Sequence, residues 1–253
     1  MVAGWGRPVN ERRSLRLWQS MVVLADGLPV GIDHLCQVAI TTVAVTGAAV
    51  TVTLSTTPRE TLFATDQLGA DLEELALTLG EGPTIDAEQG DATLAADLSS
   101  DEAQQRWPIF ADAAVSAGVS AMFALPLQVG AVRLGVLDLY RSEPGGLDRE
   151  QLADALVLAD TACTLLLDAG ERDHEHPNEP PPELIRPQHP EVHQATGMLS
   201  VQLGVTVAVA LIRLRAYAYS QERTLHDVAR DIVGRHLRIE HDAEGNDGAK
   251  QNV

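Results

Sequence analysis

Between His189 and Arg238 the chain sets Arg213, Arg215, Tyr217 and Tyr219 into a run whose apolar residues recur at helical spacing. At about 100° per residue, Arg213 points away from the stripe of Leu211, Leu214 and Ala218, with Tyr217 one turn along beside it. Arg215 and Tyr219 flank the other edge of that stripe. A guanidinium next to a phenol ring can hold a phosphate and stack on a base, the two contacts that single-stranded and loop RNA offers. A plainer role is equally open, in which the arginine stems cover the edges of a core and the tyrosines complete its packing.

Gly197 lies inside an earlier helical run of the same block, off its apolar stripe, where glycine costs roughly 1 kcal/mol relative to alanine. Such a position points to close approach by another backbone or by a ligand, and helix packing and RNA approach explain it equally well. Every cation of the block is an arginine, and Arg223, Arg230 and Arg235 add to the set.

Bond-making chemistry finds less support. Glu81 and Asp86 flank the turn Gly80-Glu81-Gly82-Pro83, but acid–base work by paired carboxylates needs one of them buried with a raised pKa. The expectation is two solvated acids beside a Gly-Pro loop. His34 sits in a helical pattern, and His174 and His176 lie in a polar segment without partners at zinc-like spacing. There is no Gly-rich phosphate loop, nucleophile elbow or kinase signature. No catalytic residue, metal or cofactor is therefore expected. Cys36 and Cys163 fall within apolar helical patterns, as buried, reduced thiols do.

Charge divides the chain. The 253 residues carry 18 Lys+Arg against 36 Asp+Glu, a formal net charge of -18, which opposes non-specific nucleic-acid binding by the molecule as a whole. From Leu17 to Gly170 there are 22 acids and 5 arginines, net -17, whereas from Pro190 to Ile239 there are 6 arginines and 4 acids, net +2. Any polyanion would be met by the C-terminal block. No run approaches the ~20 apolar residues of a membrane span, and the N-terminus lacks the pattern of a signal peptide. A cytoplasmic protein without a membrane partner is expected.

The elements that must position these residues can be read from periodicity. Ser14–Ala25 and Ile32–Val45 are expected as helices, Ala48–Leu54 and Glu60–Ala64 as strands joined by a turn at Thr56-Thr57-Pro58, and Leu68–Leu79 as a helix. Strands are expected at Thr84–Ala87 and Ala95–Leu98. A helix opened by Trp107-Pro108 and closed by Gly118 follows, then a hairpin of Ala121–Gln128 and Val132–Tyr140 with Gly130 in its turn, and a helix from Asp148. Residues 171–189, with five prolines among acids, read as an extended spacer. Three short helices come next. Val192, Ala195, Leu199 and Leu203 stripe the first, which Gly204 ends. Val207, Leu211, Leu214 and Ala218 stripe the second, capped by Thr206, and Leu225, Val228, Ala229 and Ile232 stripe the third, capped by Thr224 with Asp227. Residues 240–253 read as a polar flexible tail. The class is α+β, and a helical module of ~50 residues buries so little that support from a second copy or from the first domain is expected.

Two segments carry family resemblances. GEGPTIDA (Gly80–Ala87), RWPIFADAAVSAGV (Arg106–Val119) and MFALPLQVGAVRLGVLDLYR (Met122–Arg141) resemble a GAF domain of the kind found in actinobacterial regulators, over residues 14–170. This implies an antiparallel sheet flanked by helices that binds a small molecule or dimerises. The chain lacks the Asn-Lys-Phe-Asp-Glu string of cyclic-nucleotide binders and the cysteines of methionine-sulfoxide-reducing relatives, so no ligand residues are assigned. VHQATGMLSVQLG followed by ALIRLRAYAYSQERTLHDVARDIV resembles an ANTAR module, the three-helix output domain of bacterial antitermination regulators, within residues 190–239. That resemblance implies binding of paired RNA stem-loops in a nascent leader transcript, usually as a homodimer, so that a terminator hairpin does not form. By position Gln194, Ala195, Thr196, Gly197, Arg215 and Tyr217 match the motif. The family commonly has Lys where this chain has Thr196. Losing that charge removes a phosphate partner, for which Arg213, Arg223, Arg230 and Arg235 would compensate. The competing reading is a protein-interaction or dimerisation regulator whose module has lost RNA binding.

Overall fold

The computed structural model describes residues 7–53, 59–175 and 190–239. The chain forms two compact units that part between His189 and Pro190. In the first unit the elements run α1 (Arg7–Ala25), α2 (Ile32–Thr42), β1 (Gly47–Val52), β2 (Glu60–Ala64), α3 (Gln67–Leu79), α4 (Pro83–Gln89), β3 (Thr93–Ala95), α5 (Asp101–Arg106), α6 (Pro108–Ser116), β4 (Ala121–Val129), β5 (Val132–Arg141) and α7 (Arg149–Glu175). The five strands make one sheet in the order β2-β1-β5-β4-β3, with every neighbouring pair antiparallel.

Strand alternation gives this sheet two unlike faces. Ala48, Val50, Phe123, Leu125, Leu127, Leu137 and Leu139 pack on one side with α1, α2 and α7, through Leu17, Met21, Leu35, Leu158 and Ala162. The register pairs Ala49 with Asp138, Thr51 with Val136, Asp138 with Ala124 and Tyr140 with Met122, so the second face mixes small and polar residues with the larger Met122 and Tyr140. It lies beneath α3, α4 and α6, whose Leu72, Ala76, Ile85, Phe110 and Ala114 belong to the apolar cluster of this layer. Cys36 and Cys163 are buried free thiols, as their apolar settings lead one to expect.

Three differences from the expected elements have local causes. Thr84–Ala87 is helical, not extended, and belongs to α4. Gly82 takes φ 127° against the Phe110 ring, and Pro83, preset for the first helical turn, starts a helix there. Asp101–Arg106 forms a separate short helix capped by Ser100, whose side chain accepts from Ala103 N–H. α7 runs on to Glu175, five residues into the segment read as spacer, because the first proline there is Pro177. Residues 176–189, the 240–253 tail and the Thr56-Thr57-Pro58 turn lie outside the described residues. The hairpin of β4 and β5 turns as expected at Gly130, with φ 61°.

Glu81 and Asp86 are engaged rather than solvated. Glu81 Oε1 accepts from the N–H groups of Ile109 and Phe110 at 2.8 Å, closing the N-terminus of α6. Asp86 accepts from Arg106 Nε at 2.7 Å and Trp107 Nε1 at 3.0 Å. The two acids tie α4 and its leading turn to the α5–α6 junction, a structural role. His34 likewise serves its own helix, its Nδ1 accepting from Gly31 N–H at 3.1 Å.

The second unit is three helices, α8 (Pro190–Leu203), α9 (Val207–Ser220) and α10 (Leu225–Val233). Gly204 (φ 63°) ends α8 in the left-handed conformation. Thr206 accepts from Val209 N–H and Thr224 from Asp227 N–H, so both expected caps form. Val192, Ala195, Leu199, Leu203, Leu225, Val228, Ala229 and Ile232 are buried as their spacing requires. On α9 the buried stripe is Ala210, Leu214 and Ala218; Leu211 is half-buried, and Val207, in the first turn, is exposed. Among the described residues no single helix is long and apolar enough to cross a membrane.

Candidate nucleic-acid interface

α9 turns Arg213, Arg215 and Tyr217 toward its flanks, whereas Tyr219, expected beside Arg215 at the edge of the stripe, lies on its outer line. With Ala210, Leu214 and Ala218 facing the core, the outermost line of the helix is Val209, Ile212, Ala216 and Tyr219, spaced three, four and three residues apart. Ile212 is 62% exposed and Tyr219 54%. Arg213 and Arg215 stand on opposite sides of this ridge, each about 80° around the helix from it. Both are half-buried, as is Tyr217, which lies one turn beyond Arg213 on the same flank. The two guanidiniums therefore straddle an apolar ridge rather than share one contact. The ridge follows from the same periodicity that placed the arginines, yet attention to charge alone passes over it.

The remaining arginines are already committed to helix α10. Arg223 pairs with Asp231 at 2.8 Å, and Arg230 pairs with Asp227 at 3.4 Å and hydrogen-bonds the His226 ring. Exposed pairs of this kind exchange readily for phosphate, because each contributes at most about 1 kcal/mol. Arg235 adopts φ 59° just beyond α10 and is exposed.

On α8 the motif Gln194-Ala195-Thr196-Gly197 splits between two faces. Gln194 and Gly197 are exposed, while Ala195 is fully buried and Thr196 is 1% exposed. Thr196 Oγ1 donates to Val192 C=O at 2.6 Å, satisfying its hydroxyl within its own helix. Position 196 thus points into the core, and a lysine there would reach solvent only by running its stem along the surface of the helix. Its replacement by threonine alters packing before it alters surface charge. A Cβ at Gly197 would meet nothing within 4 Å, so packing within the unit does not demand glycine. The exposed surface at Gly197 continues to Met198 and Val201, the latter 85% exposed.

Residues 188–233 match the family described as ANTAR domain. This unit contains an ANTAR domain. Its match spans α8, α9 and α10, and so includes both the arginine-flanked ridge and the exposed Gly197. No curated protein matches the chain. Solved structures similar to the chain include the GAF domain from a phosphoenolpyruvate-protein phosphotransferase (ptsP) of Coxiella burnetii, at 13% identity over 65% of this chain and 99% of that one, with a TM-score of 0.48. The GAF domain of the Acinetobacter phosphoenolpyruvate-protein phosphotransferase is similar at 10% identity, covering 66% and 98%, TM-score 0.48. A domain of a putative two-component sensor histidine kinase protein from Sinorhizobium meliloti 1021 is similar at 11% identity, covering 58% and 95%, TM-score 0.45. The first unit is the five-stranded antiparallel sheet with helices on both faces.

Proposed function

We propose that the chain is a cytoplasmic regulator of transcription that binds RNA stem-loops of nascent transcript leaders through its ANTAR domain and so favours antitermination. The observation that carries this reading is the placement of Arg213, Arg215 and Tyr217 on the flanks of α9 within the matched segment. Gln194 and Gly197 add a polar group and an open backbone on α8, and Arg223 and Arg230 add exchangeable charge. A stem-loop seated on the Val209–Tyr219 ridge would be held at its phosphates from both sides. The GAF-like unit supplies control by a signal, a small ligand or dimerisation. Self-association is supported by α1, which leaves Leu15, Trp18 and Val22 exposed at three- and four-residue spacing. No covalent step belongs to this reading.

The test is binding of tandem-hairpin RNA by the full-length protein over a range of salt concentrations. Binding is expected to weaken with salt, and Arg215→Ala is expected to reduce the logarithmic salt slope by about 1 for each phosphate that the guanidinium neutralises in the parent protein. Absence of binding at low salt by folded, dimeric protein would overturn the proposal.

The exposed apolar ridge favours a second reading, in which α9 is a protein-docking or dimerisation surface and the ANTAR domain does not bind RNA. Ile212→Glu separates the two: loss of association with no RNA binding in the parent protein supports docking, whereas RNA binding by the parent supports the first reading.

A further inference from the structure

Beneath α3 and α4 the polar face of the sheet holds a charged cluster with no access to water. Asp138 on β5 and Glu73 on α3 are both almost fully buried, 1% and 2% exposed, and Arg59 just before β2 is 6% exposed. Thr84 of α4 donates to Asp138 Oδ1 at 2.9 Å, and Arg59 Nη2 donates to Glu73 C=O at 3.0 Å while its guanidinium stands 3.6 Å from Glu73 Oε2. Glu73 and Asp138 act directly on one another, and Glu73 Oε2 and Asp138 Oδ2 are both buried without a hydrogen-bond partner. Two neighbouring carboxyl groups can hydrogen-bond each other only with a proton on one of them.

Charge balance and hydrogen-bonding capacity both call for that proton. With both acids ionised, one guanidinium faces two carboxylates and a net negative charge is buried, which costs several kcal/mol per uncompensated ion. Among the described residues of this layer, the buried side-chain polar atoms without a hydrogen-bond partner are Glu73 Oε2, Asp138 Oδ2, Thr51 Oγ1 and Arg59 Nη1. Two of these four are carboxylate oxygens, which when ionised accept only, and the sole obligate donor is the Arg59 Nη1 amino group. One added proton cancels the excess charge and converts one of those acceptors into a donor.

We propose that Glu73 and Asp138 form a proton-binding site, with one proton shared between them at neutral pH, and that this proton fastens α3 and α4 onto the sheet. Asp138 carries the proton and donates toward the Glu73 carboxylate, which Arg59 neutralises. Burial and the Glu73 charge both push the Asp138 carboxyl well above the ordinary range, in the same direction. The other charged or titratable groups around the pair are Glu88 on α4, which accepts from Thr53; Glu60 on β2, raised by burial; and, farther along the same face of β5, Tyr140, which donates to Asp66. Each of these acids adds negative charge near the pair or turns it toward another partner, and none supplies the missing proton more economically. α4 is the element that meets Asp138 through Thr84, and Gly80 (φ 71°) and Gly82 (φ 127°) precede it. Loss of the proton would set two like charges against each other under that helix. The inference stands independently of RNA binding by the ANTAR domain.

The sign of the pH dependence follows from linkage. The folded state keeps a proton that the unfolded chain releases at about pH 4, so the stabilisation is complete below that value and is lost as pH rises through the titration of the folded pair. The experiment compares the full-length protein with Asp138→Asn, whose amide supplies a permanent donor to Glu73 and an acceptor to Thr84. The melting temperature of the wild-type GAF-like unit is expected to fall between about pH 5 and about pH 9, and amide exchange in residues 67–89, corrected for intrinsic rates, to accelerate with it. In Asp138→Asn both trends are expected to flatten. The infrared spectrum of the wild-type protein at neutral pH is expected to contain a protonated-carboxyl band that Asp138→Asn and Glu73→Gln each remove. This readout decides the matter even if one variant fails to fold. Absence of that band from the wild-type protein, or a wild-type pH trend retained in Asp138→Asn, would overturn the proposal.

Discussion

The two units treat charge in opposite ways. The first, net -17 from Leu17 to Gly170, takes Arg59, Glu73 and Asp138 out of water and surrounds them with helix and sheet. The second, net +2 from Pro190 to Ile239, buries only apolar residues and Thr196, and sets its arginines on flanks and outer faces. A buried charge is costly unless compensated, so it responds to small changes such as a proton or a neighbouring ligand. An exposed charge is inexpensive to keep and exchanges partners readily. The contrast fits a division of work in which the first unit is poised to be changed and the second to make contact.

The largest expected effect breaks the buried half of the contrast. Arg59→Ala leaves Glu73 and Asp138 without their cation and is expected to destabilise the first unit by about 3–5 kcal/mol, measured by denaturant unfolding at neutral pH. If RNA binding belongs to the second unit, the part of that protein which remains folded keeps its RNA affinity. A smaller effect breaks the exposed half. Tyr217→Ala is expected to cost about 1–3 kcal/mol of RNA affinity by removing a stacking surface, while the melting of the ANTAR domain changes little because Tyr217 is only half-buried. The smallest effect sharpens the comparison. Thr224→Ala removes the cap of α10 and is expected to lower the stability of the second unit by about 1 kcal/mol, with RNA affinity at saturating folded fraction unchanged.

Much of the fold was legible where local pattern and tertiary demand agree. Alternation from Met122 to Tyr140 with Gly130 between gave the central hairpin, and Thr206, Thr224 and Gly204 marked the ends of the ANTAR helices. Thr84–Ala87 misled because its composition suits a strand, whereas the preceding glycine and proline preset a helix that packs Ile85 and Ala87 onto the sheet. The flanking positions of Arg213, Arg215 and Tyr217 followed from the helical period. The burial of Thr196 did not, since the stripe on α8 is wide enough to take in a residue that its polarity alone would leave outside. The Arg59, Glu73 and Asp138 cluster had no signal in the sequence. Its members lie just before β2, on α3 and on β5, and only the sheet order and the register of Asp138 opposite Ala49 and Ala124 bring that face beneath α3.

The central claim is that the flanking arginines of α9, and not the acidic unit, meet RNA. Ultraviolet crosslinking of the full-length protein to a tandem-hairpin RNA, followed by mass-spectrometric mapping of the modified peptide, tests it most directly. The account predicts adducts within residues 188–233, centred on Tyr217 and its neighbours on α9, and their loss in the Arg213→Ala, Arg215→Ala double variant. Adducts confined to residues 7–175, or a crosslink yield unaffected by that variant, would contradict it.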